Sequence, residues 1–235
     1  MQMNQRLLIL PLLSSLLLGC SSNTRHLSLD ERLHNAYLDV IEAKEENIRP
    51  LVNLNEQENK VDYQDGRVLL FTLHRFPSSY PTGENITFNW DESWLCSVKE
   101  LKNWYIDNKS NIKDPLLRVK QLLGMSHDSP NTYISSMWIN PLDVIRPAYI
   151  TDVNTPMTLS FDQNETDNYK AWFASQYYYS YEVKKLPWTR LGYTYDWSEE
   201  AKDKYGLSEF VAFRGTEVTV DKTLEVQSFL ESLIS

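Results

Sequence analysis

The apolar positions of this chain change their period every ten to twenty residues, and each change marks an element. Ser28-Leu29-Asp30-Glu31 has the form of a capping box, in which a serine and a glutamate three residues on satisfy each other's backbone donors. Leu33, Tyr37, Val40 and Ile41 follow at helical spacing and predict a helix from Leu29 to Ile48, stopping before Pro50. The polar segment Asn53 to Asp65 predicts a loop. After Asp65-Gly66 the run RVLLFTLHRF is apolar without alternation, which predicts a strand buried on both faces over Val68 to Phe76. Ile86 to Trp90 reads as a short strand. Ser97 to Glu100 is a second capping box, opening a helix with Leu101, Trp104 and Tyr105 inward.

Asp114-Pro115 pairs an N-cap with proline at the first helical position, and Gly124 suits a left-handed C-cap. A strand is predicted in NTYISSMWIN, a single turn in PLDVIRP and a further short strand over Thr158 to Phe161. Asp167 to Tyr181 lacks alternation and turn residues, so it is predicted helical. Leu207 to Phe213, Arg214-Gly215 and Thr216 to Val220 read as a hairpin, and Thr223 to Ile234 as a closing helix. Helices and short strands in irregular order predict a single α+β domain over residues 28–235, with a mixed or antiparallel sheet and about five helices.

The first residues follow a different logic. Arg6 precedes a leucine-rich run, Leu7 to Leu18, that is too short to cross a bilayer and has the form of a secretory signal. It ends in Leu17-Leu18-Gly19-Cys20, which resembles the lipobox of bacterial lipoproteins. That resemblance implies a signal peptide over residues 1–19, lipidation of Cys20 and a tether over residues 20–27. Two or more acyl chains anchor stably where one does not. Ser21 and Ser22, with no aspartate after the cysteine, resemble the pattern of lipoproteins sent to the outer membrane of Gram-negative cells, facing the periplasm.

Composition narrows the function. The formal charge of −9 becomes −10 once Arg6 leaves with the signal peptide, which argues against nucleic acid as a partner. With Cys20 carrying lipid, Cys96 stands alone in apolar SWLCSV, as a buried, inert thiol. Seven glycines leave little material for phosphate-cradling loops, and no cofactor signature is present. His26, His34, His74 and His127 lack metal-ligand spacing, so no metal site is predicted. Gly206-Leu207-Ser208 begins like a nucleophile elbow, but Phe210 stands where the motif needs glycine.

Two sets of residues remain. In LPWTRLGYTYDW, Leu191, Tyr193, Tyr195 and Trp197 alternate, as in a strand with its bulky face on the core. Trp188 and Arg190 precede that alternation and are predicted in an exposed loop, forming a binding surface with Tyr178 and Tyr181 for a protein or a cell-wall glycan. An immunity or inhibitor role falls within that reading. PWTRLGYTYDW with LSEFV resembles a domain found in bacterial proteins of uncharacterised activity. The second set supports an alternative envelope enzyme. His74 and Arg75 end a buried strand, where a polar pair suits a cleft, and Glu209 or Asp196 would complete acid–base chemistry. The lipobox reading carries a direct expectation: Cys20→Ser should release the protein from membranes in cell fractionation, and retention in the membrane fraction would refute lipid anchoring.

Overall fold

A computed structural model describes residues 26–235; the signal segment, Cys20 and the tether up to residue 25 lie outside the described residues. The chain runs α1 (Leu29–Val40), β1 (Tyr63–Gln64), β2 (Arg67–His74), β3 (Asn85–Thr87), β4 (Glu92–Ser97), α2 (Val98–Asn108), α3 (Pro115–Leu122), β5 (Tyr133–Ile139), β6 (Val144–Ile145), α4 (Asp167–Tyr177), β7 (Tyr193–Tyr195), β8 (Tyr205–Phe213), β9 (Glu217–Glu225) and α5 (Val226–Ser232). It is an α+β domain with an antiparallel sheet in the order β3-β9-β5-β2-β4-β8-β6, to which β1 adds on β2 and β7 on β8. None of the described helices is long and apolar enough to cross a membrane.

The local signals work as read. Ser28 Oγ accepts from the Glu31 N–H at 3.2 Å while the Glu31 carboxyl accepts from the Ser28 N–H at 2.9 Å. Asp114 caps α3 through the Leu117 N–H at 3.0 Å, and Gly124 takes φ +66° beyond its end. Ser97 caps α2, but Glu100 does not complete the box; its carboxyl accepts instead from the N–H and hydroxyl of Ser208.

The predicted hairpin is not one. β8 and β9 are joined by residues 214–216, yet β4, β2 and β5 lie between them in the sheet. Four strand spacings in a flat sheet cover roughly 19 Å, whereas the chain from Phe213 to Glu217 reaches at most roughly 14 Å. The sheet therefore curls. Its inner face packs Leu70, Leu95, Met137, Phe210 and Val218 against one another from five different strands. The outer face carries Phe71, Ile134 and Leu207, and α2, α3 and α5 cover it with Leu101, Leu122 and Phe229. This double burial explains the continuous apolar run of β2.

Other boundaries move for identifiable reasons. α1 ends at Val40 rather than Ile48, because the Arg190 guanidinium takes the Val40 and Ile41 carbonyls at 2.7 and 2.8 Å. Thr223 and Leu224 stay in β9, paired with Ser135 and Ile134, so the last helix starts at Val226. The strand over Leu191 to Trp197 shortens to β7, and Thr158 to Phe161 is irregular. α4 continues as a π-helix, Tyr178–Lys184. β4 has no counterpart in the sequence reading, and it builds the site.

Candidate functional site

β2 and β4 pair at only two positions, Leu70 with Ser97 and Phe71 with Cys96. From there β2 follows β5 as far as the His74–Tyr133 pair, while β4 follows β8 as far as Glu92–Phe213. The two inner strands separate, and the sheet opens into a wedge. Side chains from both faces of β2 border this wedge, Phe71 and Leu73 on one and Thr72 and His74 on the other, so it passes through the plane of the sheet. It encloses a cavity of about 750 Å³.

Opening a sheet exposes backbone polar groups that must find other partners. On the β2 side, Asn131 Nδ2 donates to the Leu73 carbonyl at 3.1 Å and the Thr132 N–H to that of His74 at 3.0 Å. On the β4 side, a side-chain bond from Trp90 Nε1 to Ser93 Oγ at 2.6 Å fixes the wall. Aromatic rings supply the walls. Trp94 meets Trp188 edge-on with centroids 5.9 Å apart, and Tyr80 lies 5.3 Å from Trp90. Glu92, at the edge of the cavity, accepts from the indoles of Trp94 and Trp172 at 3.1 and 2.6 Å and from Gln176 at 2.9 Å. Phe76 and Tyr179 stand exposed at the rim.

Two groups of opposite character meet inside. Glu209 on β8 lies in register with Cys96 on β4, and both side chains border the cavity. Burial pushes the Glu209 carboxyl up to about 8, with the Trp188 indole N–H offsetting part of the rise. Neither Glu209 Oε2 nor Trp188 Nε1 has a partner that meets hydrogen-bond geometry among the described residues. Burial first, and then the carboxyls of Glu209 and Glu100, push the Cys96 thiol well up, which keeps it protonated.

The residues expected to carry catalysis do not converge. His74 borders the cavity, but both ring nitrogens are engaged. The Phe76 N–H donates to Nδ1 at 3.1 Å, and Nε2 lies 2.7 Å from Ser135 Oγ. Ser135 reaches Thr223 at 2.6 Å, and Thr223 donates to the Tyr80 carbonyl at 2.6 Å. Since that carbonyl only accepts, each hydroxyl donates onward and the proton sits on Nε2. Burial lowers the imidazole to about 4, so it is neutral, with its lone pair taken. Arg75 points to solvent, its guanidinium 4.7 Å from the Phe76 ring. Asp196 is buried away from the cavity in a two-pronged ion pair with Arg118, at 3.0 and 2.7 Å. Ser208 is likewise committed, accepting from the Val52 N–H and donating to Glu100.

The expected binding surface also changes. Trp188 and Arg190 are buried, as is Tyr181; Tyr178 alone of the four is exposed. Arg190, at φ +61°, turns inward beneath α1 and lies over Tyr181 and Tyr177 at 5.0 and 5.3 Å. Tyr181 Oη donates to the Trp188 carbonyl. Trp188 belongs to the site as an inner wall rather than an outer plate. Sequence reasoning found Glu209 and missed Trp90, Ser93 and Trp94. The alternation of Glu92, Trp94 and Cys96 was the available signal, since it places all three on one face of a strand.

Fold and site together define a curled antiparallel sheet, flanked by helices, with a ligand-sized cavity set into the sheet itself. No family model, curated protein or solved structure matches this chain.

The buried acid has a signature in stability. The Glu209 carboxyl rises from an ordinary 4.5 to about 8 on folding, so its contribution is complete at acidic pH and is lost as pH climbs towards 8. His74, lowered from 6.5 to about 4, acts oppositely: its contribution is complete above 6.5 and lost towards 4. Glu209→Gln removes only the first slope. In urea unfolding, the stability of Glu209→Gln relative to wild type should rise by about 1.4 kcal/mol per pH unit between pH 5 and 8. A difference that stays flat would mean that Glu209 is ionised throughout.

Proposed function

We propose that this protein is a non-enzymatic binding protein that takes a small molecule with an apolar body into the cavity between β2 and β4. It works in the cell envelope, held by lipid on Cys20, at the periplasmic face of the outer membrane in a Gram-negative cell. The observation that carries this reading is the cavity itself. Its volume of about 750 Å³ falls within the range of sites for drug-sized ligands. Its walls are aromatic and aliphatic, and its few polar groups are fixed, which is how such sites combine affinity with orientation.

The same geometry favours binding over catalysis. His74 offers no free lone pair, Asp196 is elsewhere, Arg75 faces solvent and burial holds the Cys96 thiol opposite Glu209 protonated, so the residues named for catalysis do not assemble an activated nucleophile with its base. A protein or glycan contact through Trp188 and Arg190 loses support because both are buried.

A neutral reporter of apolar sites, N-phenyl-1-naphthylamine, should bind one per protein with a rise in fluorescence. Cys96→Phe directs a ring into the cavity and should weaken that binding at least tenfold while leaving the thermal transition cooperative. Binding unchanged in a folded Cys96→Phe protein would reject the cavity as the site.

A further inference from the structure

We infer that the ligand of this cavity is an organic cation, an amine or ammonium group on an apolar body, with its charged end seated between Glu209 and the indoles of Trp188 and Trp94. The inference rests on the cavity-binding reading above and adds the chemistry of the ligand.

The geometry supplies three reasons. Glu209 is 8 % exposed, borders the cavity and has Oε2 without a partner, in an interior where buried carboxyls are ordinarily paired. Among the described residues no lysine borders the cavity and the single arginine there, Arg75, points to solvent at the rim, so none of them gives the acid a cation. The indoles of Trp94 and Trp188 border the same cavity, and tryptophan is the side chain whose ring attracts cations most strongly. A buried acid within an aromatic enclosure complements a positive charge that carries apolar surface. A carboxylate-bearing ligand would meet an acid and no base. A neutral hydrocarbon would add no hydrogen bond to Glu209 Oε2. The protein's overall formal charge of −9 draws cations in the same direction.

Binding of such a cation has a proton cost. The free protein holds Glu209 protonated at neutral pH, and the complex needs it ionised, so one proton leaves as the amine enters. One neighbour shares this pH range: Glu100, held by the N–H and hydroxyl of Ser208, is lifted by burial to about 7, so Glu209→Gln is the control that assigns the slope to Glu209. Cys96, opposite on β4, stays a thiol, and His74 on β2 is neutral above pH 5. Burial raises the Tyr195 hydroxyl on β7, while Trp188 carries no titratable group. Among the described residues, Glu92 and Arg75 complete the charged groups of the lining.

The test uses the full chain reconstituted in vesicles of zwitterionic lipid, with empty vesicles as the blank and cavity tryptophan fluorescence as the readout. Three probes share one body: 3-phenylpropylamine, 3-phenylpropanol and 3-phenylpropanoate. At pH 7.5 the amine should bind at least tenfold more tightly than the alcohol, and the carboxylate weakest. Between pH 6 and 7.5 the amine's affinity should rise by about tenfold per pH unit, while the alcohol's stays level. Glu209→Gln, which keeps the shape and removes the charge, should abolish the amine's advantage and leave alcohol binding within threefold. Should Glu209→Gln not fold, the preference of the wild type for the amine over the alcohol at pH 7.5 decides alone. Alcohol binding that equals or exceeds amine binding, or an amine affinity independent of pH, overturns the cation while leaving the binding cavity standing. Failure of all three probes to bind overturns the cavity reading and the cation with it.

Discussion

The separation of β2 from β4 is the constraint on which the rest of this molecule depends. Each strand is committed to a different neighbour, β2 to β5 along its length and β4 to β8, and the two halves share strand pairing only at Leu70–Ser97 and Phe71–Cys96. The curl of the sheet, forced by the short link from β8 to β9, sets the directions in which the halves leave each other. A sheet opened in this way is costly unless its freed backbone groups are satisfied and its new walls covered. Asn131 and Thr132 meet the first need on the β2 side, and the ring cluster of Tyr80, Trp90, Trp94 and Trp188 meets the second.

The tryptophan that closes the cavity is held by an interaction some distance from it. Arg190 occupies a left-handed backbone conformation that costs a non-glycine residue of order 1 kcal/mol. It is retained because the guanidinium serves the last carbonyls of α1, which have no partners within the helix. Tyr181, from the π-helix, closes onto the Trp188 carbonyl from the other side. One buried cation thus fixes the end of α1, the turn into β7 and the position of the Trp188 indole. A further buried pair, Arg118 with Asp196, ties β7 to α3.

What could be read from the sequence was what neighbouring residues decide. The capping serine of α1, the N-cap and proline of α3 and the unbroken apolar run of β2 are local signals; both helices begin where they place them, and β2 starts one residue early and stops at His74 rather than Phe76. The β8–β9 connection misled because Arg214-Gly215 specifies a tight turn and says nothing about which strands pair afterwards. Burial of Arg190 was illegible for a related reason: its partners Val40 and Ile41 lie 150 and 149 residues earlier in the chain. Glu209 could be singled out as a carboxyl opening an apolar strand, but its isolation from any cation is a property of the assembled walls. β4 was hidden by its brevity and its polar start at Glu92, although Glu92, Trp94 and Cys96 share one face.

The central claim is that ligands enter the sheet between β2 and β4 rather than resting on the exposed tyrosines nearby. The most direct measurement is of intermolecular nuclear Overhauser contacts from bound N-phenyl-1-naphthylamine to the protein's side chains. The account predicts contacts to the indole protons of Trp188 and Trp94 and to the β-protons of Cys96. Contacts confined to Tyr178 and other exposed rings, with none to those three residues, would contradict it.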